Sequence, residues 1–180
     1  VIFNSPTSDS TSAWYPGSWP MSGGDLSGSA YVPWTSEYPE GVRLNSFYSG
    51  PSTRSAPIIS NGTIYLGGES EVLAIDAETG KTLWTIEQTG PVHGTLAIAN
   101  KTLFVPLRNK ELLALSAPSG TLKWSFKSES PFVGSPSVNK GIVYSSTQKG
   151  RVHALDAATG SPIWTMDAGD AIASAVALAN

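Results

Sequence analysis

The sequence predicts an all-β chain of four-stranded antiparallel blades, a β-propeller. Three observations predict it: an internal repeat of 40 residues, strand-forming runs cut by Asn-Gly and Thr-Gly turns, and 18 Gly and 13 Pro against only 14% charged residues. Surface helices need charged outer faces and few breakers, so this composition argues against a helical bundle. The 40% hydrophobic content, spread along the chain, suits a packed core.

The repeat rests on a skeleton of Ala, five residues, Gly, three residues, Trp. It occurs as Ala74, Gly80, Trp84, then as Ala114, Gly120, Trp124, and again as Ala154, Gly160, Trp164. The surrounding text repeats as AIDAETGKTLW, ALSAPSGTLKW and ALDAATGSPIW, and a matching piece precedes each copy from Ala56, Thr95 and Ser135. Self-similarity at this period marks a stacked or propeller architecture.

The first copy resolves into runs at Ala56 to Ser60, Thr63 to Gly67, Glu71 to Asp76 and Thr82 to Glu87. Asn61-Gly62 and Thr79-Gly80 between them supply the positive φ that hairpin turns require. Four strands in 40 residues make one blade. Ala on the third strand leaves room for an indole, Gly makes the turn, and Trp on the fourth strand lies across the junction of two blades with its N–H on a backbone carbonyl. The three Trp are therefore expected to be structural docking residues. Asp76 and Asp156, with Ser116 in the same place, are expected to hydrogen-bond within the turn that follows.

The Ala-x5-Gly-x3-Trp pattern, with the text quoted above, resembles the tryptophan-docking repeat of the pyrroloquinoline-quinone (PQQ)-like β-propellers over residues 55 to 180. That superfamily includes quinoprotein dehydrogenases, the lipoprotein of the bacterial outer-membrane protein assembly machine, extracytoplasmic sensors and the lumenal domains of endoplasmic-reticulum stress sensors. Fold is thereby better implied than function. The resemblance is stronger to the assembly lipoprotein than to the dehydrogenases. The enzymes add an adjacent-cysteine disulfide, acidic and amide calcium ligands and a carboxylate base, whereas this chain has no Cys and no segment matching the ligands.

Residues 1–12 read as a flexible Ser/Thr-rich segment and 13–41 as an aromatic Gly/Pro-rich leader with a WPM-like piece that packs across the propeller in the same superfamily. Blades are expected over 42–180, as repeats at about 55–92, 93–132 and 133–171, with the start of a fourth at 172–180. VRLNSFYSGP from Val42 parallels TLWTIEQTGP from Thr82, which makes 42–49 an orphan outer strand; SAVALAN from Ser174 matches GTLAIAN from Gly94. Three blades with an orphan strand at each end imply part of a longer propeller or an assembly, because unpaired edges invite pairing.

The loops between blades and between second and third strands form the expected functional face. They carry the candidate interaction residues Arg54, His93, Arg108, Lys110, Lys149 and Arg151, among which no named catalytic spacing occurs. His93 and His153 read as a loop and a strand histidine, so no catalytic, cofactor or metal residue is assigned and no cofactor is expected. A net charge of -3 without a basic run argues against nucleic acid, and the longest apolar stretch, Ala171 to Ala179, is half a membrane span. The absence of a basic leader before Val1 suits a processed or trimmed chain, and the polar segment behind it suits export.

The expectation is a non-catalytic scaffold in the periplasm, cell envelope or outside the cell, or in the endoplasmic-reticulum lumen of a eukaryote. It would hold a protein partner or self-associate through blade edges. The alternatives are a fragment of a PQQ-dependent dehydrogenase and a lumenal or extracellular sensor. Asn61 and Asn100 open glycosylation sequons at equivalent turns; in a bacterial chain they are ordinary turn chemistry, and in a eukaryotic one they would be exposed on one face and support the sensor alternative.

Overall fold

The computed structural model describes residues 18–19 and 55–177. Within them lie thirteen strands and no helix. A two-residue strand, β1 (Ser18–Trp19), is followed by three meanders. These are β2 (Ile58–Ser60), β3 (Thr63–Gly67), β4 (Glu71–Asp76) and β5 (Thr82–Glu87); β6 (Ala97–Ala99), β7 (Thr102–Pro106), β8 (Glu111–Ser116) and β9 (Leu122–Lys127); and β10 (Phe132–Asn139), β11 (Ile142–Thr147), β12 (Arg151–Asp156) and β13 (Pro162–Asp167). Each meander is one antiparallel sheet in chain order, and β1 adds to the first by pairing with β2. No described helix is long and apolar enough to cross a membrane.

The turn residues act as expected, with one addition. Asn61 and Gly62 join β2 to β3 at φ 50° and 72°, the positive pair of a type I′ hairpin. The same turn holds Asn100 and Lys101 in blade two, and Lys140 and Gly141 in blade three, all at positive φ. Lysine carries no sequence signal for that conformation; the pairing of the flanking strands imposes it.

The first strands of the blades lie innermost. The chain entering blade two meets the chain entering blade three: Thr95 N–H donates to Ser135 Oγ at 3.1 Å, and a Cβ on Gly94 would fall 2.4 Å from the Gly134 carbonyl oxygen. Fourth strands lie outermost and are largely exposed, β13 along its whole length. Between blades one and two a core forms around Val72, Leu96, Leu103, Val105 and Leu115, and between blades two and three around Phe104, Leu112, Phe132, Val143 and Leu155.

One expectation is corrected. The first strand begins at Ile58, since Ala56 and Pro57 have no ladder partner on β3. Of the expected start of a fourth blade at 172–180, residues 178–180 lie outside the described residues. The described part follows the inner edge of blade three, where Ser146 Oγ donates to the Ser174 carbonyl at 3.0 Å and Ser137 Oγ to that of Val176. The expected strand at 42–49, the segment 1–12, Arg54 and the leader apart from Ser18–Trp19 lie outside the described residues.

Candidate functional site

The repeated skeleton places one indole at each blade junction. Trp84 Nε1–H donates to the Ala117 carbonyl at 2.9 Å, and Trp124 Nε1–H to the Ala157 carbonyl at 3.1 Å, each acceptor belonging to the next blade. The ring lies flat on the next turn. A Cβ on Gly120 would come 2.9 Å from the Trp84 ring, and one on Gly160 2.6 Å from the Trp124 ring. Both glycines have φ above 70°, so the turn needs Gly for its backbone and the indole needs it for space.

Within each blade, Ala74, Ala114 and Ala154 are fully buried between two aromatic side chains on the neighbouring strands. The pairs are Tyr65 with Trp84, Phe104 with Trp124, and Tyr144 with Trp164, at centroid distances of 6.0, 5.8 and 5.9 Å. Sequence reasoning singled out the alanines and tryptophans but missed Tyr65, Phe104 and Tyr144. Their signal was available as an aromatic residue recurring in every second strand. Trp164 keeps its Tyr144 neighbour but is 43% exposed, whereas Trp124 is 9% exposed.

Asp76 and Asp156 close the third hairpins. Oδ1 of Asp76 accepts from the backbone N–H of Glu78 and of Thr79 and from Thr79 Oγ1, and Asp156 repeats this with Ala158 and Thr159. These bonds favour the charged form and hold both carboxyls below the usual Asp range. In Asp76 the Thr79 hydroxyl contributes most; in Asp156 the Thr159 backbone N–H does. A carboxylate so occupied is a turn element, not a proton carrier.

The loop end brings two of the candidate interaction residues together, His93 and Arg108. Glu69, Pro91, Val92, His93, Gly94 and Arg108 line a shallow cleft of about 250 Å³ between blades one and two. His93 Nδ1–H donates to the Phe132 carbonyl at 2.8 Å, which ties the link between blades one and two to the start of blade three. Arg108, Lys110 and Lys149 are exposed. Arg151 is partly buried and pairs with Glu129 at 2.6 Å. His153, a strand histidine by sequence, is 6% exposed and packs against Phe126 and Phe132 of the preceding segment. Among the described residues no three His, Asp or Glu converge in a way that could hold a metal ion, and the sequence has no Cys.

Comparison with known proteins gives a family and a fold. The family model described as outer membrane protein assembly factor BamB matches in two overlapping stretches, residues 28–134 and 68–179. No curated protein matches the sequence. BamB from Moraxella catarrhalis is 26% identical with a TM-score of 0.54, over 59% of this chain and 33% of its own. A europium-containing methanol dehydrogenase is 23% identical with a TM-score of 0.71, over 84% of this chain and 32% of its own. The quinohemoprotein alcohol dehydrogenase ADHIIG from Pseudomonas putida HK5 is 22% identical with a TM-score of 0.69, over 84% and 26%. The two dehydrogenases share the fold at this level of identity, and the chain spans about a third of BamB and of the methanol dehydrogenase and about a quarter of ADHIIG. Three antiparallel four-stranded blades and a family match covering most of the sequence lead to one conclusion: the chain belongs to the BamB-type family of PQQ-like β-propeller repeats.

Proposed function

We propose that this chain is a non-catalytic propeller scaffold that holds a partner protein in an extracytoplasmic compartment, as part of a longer propeller or of an assembly. The observation that carries this reading is the family match to an outer membrane protein assembly factor over residues 28–179. The site chemistry agrees with it. Asp76 and Asp156 are committed to turns, Arg151 is committed to Glu129, and the exposed Arg108, Lys110 and Lys149 are suited to polar contact with a protein surface.

The three indoles are structural docking residues in this reading, together with their alanines and glycines. Trp84 and Trp124 are satisfied by the following blade. Trp164 and Met166, at 43% and 52% exposure, lie two residues apart on β13 and form the face that a further blade or a partner would cover.

A second reading, a fragment of a PQQ-dependent dehydrogenase, is favoured by the fold overlap with the methanol dehydrogenase over 84% of the chain. Titration with PQQ and calcium, followed by cofactor absorbance, separates the two. The scaffold reading expects no stoichiometric uptake, and tight one-to-one binding would overturn it.

A further inference from the structure

The repeat departs from itself at the junction of blades two and three. Three residues lie side by side across the second, third and fourth strands of each blade: Leu66, Leu73 and Thr85 in blade one, and Val105, Leu113 and Ser125 in blade two. In blade three the same places hold Ser145, His153 and Thr165. Val105 and Leu113 pack into the apolar core shared with blade one. Their replacements turn two polar side chains toward blade two, and the His153 ring stands edge-on to Phe126 of blade two at 5.2 Å and to Phe132 at the start of its own blade at 6.1 Å.

His153 Nδ1 lies 3.1 Å from Thr165 Oγ1, but Nε2 is buried without a hydrogen-bond partner, and Ser145 Oγ on the adjacent strand is buried without one as well. A neutral imidazole survives there with one nitrogen unpaired. An imidazolium has two N–H donors to satisfy and a charge to keep hydrated. The charged groups acting on the ring are Arg151, which opposes a second positive charge, and Glu129, which favours one but is already paired with Arg151. Burial is the largest of these effects, with Arg151 adding to it, and together they hold the His153 pKa below the ordinary histidine range.

We propose that His153 makes the junction between blades two and three acid-labile, so that protonating this one side chain loosens blade three while blades one and two stay joined. The direction follows from linkage. A histidine whose folded pKa lies below its unfolded value, about 6.5, contributes its full stability above that value. The contribution is lost as pH falls through 6.5 towards the lower folded pKa. Asp76 and Asp156 titrate further down and do not enter this window.

The test is amide hydrogen exchange and thermal unfolding of the whole chain at pH 7.5, 6.5 and 5.5, on the wild type and on His153→Leu, which restores the residue of Leu73 and Leu113. The wild-type midpoint should fall on acidification, with protection in β10–β13 dropping by up to about tenfold and that in β2–β5 unchanged. His153→Leu should abolish both changes. A pH dependence that persists in His153→Leu, or a wild type whose blade-three protection is the same at all three pH values, overturns the proposal. Should the variant not fold, proton NMR titration of His153 in the wild type decides the matter. An apparent pKa below 6.5 supports the proposal, and one at or above 6.5 overturns it.

Discussion

Trp124 and Trp164 are copies of one residue in one repeat, and they live in different surroundings. Both face an aromatic partner across a buried alanine at nearly the same distance, 5.8 and 5.9 Å. Only Trp124 has a following blade, which supplies a glycine turn beneath the ring and a carbonyl for the N–H; Trp164 has neither among the described residues and is 43% exposed against 9%. What a blade makes alone is therefore the aromatic pair. The hydrogen bond and most of the ring burial come from the neighbour, so the energetics of this architecture reside at the junctions.

The largest expected effect breaks the covered site. Trp124→Ala should lower stability by about 3–5 kcal/mol, as for other buried aromatic truncations, and Trp164→Ala by less than about 1 kcal/mol, as at exposed positions. Chemical denaturation of the two variants side by side measures the difference, and equal losses would remove the distinction drawn between them. Next in size is Gly160→Ala. It forces a Cβ into the Trp124 ring on a backbone at φ 75°, whereas Gly62→Ala meets nothing within 4 Å at φ 72°. The left-handed backbone alone costs about 1–2 kcal/mol. Gly160→Ala should exceed Gly62→Ala by a further ~1–3 kcal/mol of overpacking, which thermal melts of both would resolve.

The smallest effect concerns the turn carboxylates. Because their folded pKa values are depressed, Asp76 and Asp156 contribute stability that is present above the unfolded value of 3.8 and is lost as pH falls through their folded values. Asp156→Ser, which installs the residue that Ser116 provides in blade two, should lower the neutral plateau slightly and flatten the acid limb of the melting profile below about pH 4. An acid limb as steep as that of the wild type would count against the turn assignment.

The architecture was legible because its determinants are local. Runs at Thr63 to Gly67, Glu71 to Asp76 and Thr82 to Glu87 end where the strands end, since Asn61-Gly62 and Gly80 fix the backbone at the turns whatever packs around them. Features that depend on distant neighbours were not legible. Lys101 and Lys140 take positive φ under the constraint of strand pairing. The candidate site divides in the same way. The indoles could be placed from their spacing, but the burial of His153 against Phe126 joins residues of different repeats, and nothing near either in sequence announces it.

The glycines of the inner rim carry one more consequence. At Gly94 the chain of blade two runs so close to that of blade three that an added carbon would fall 2.4 Å from the Gly134 carbonyl oxygen, and at Gly134 one would fall 2.5 Å from the backbone of Ala175. Side chains fill the junctions further out, so each pair of blades is a wedge whose thin edge is bare backbone. The curvature of the stack is set by how little fits at that edge. Even a methyl group there would act on the opening angle between blades, and through it on how many blades a closed ring can accommodate.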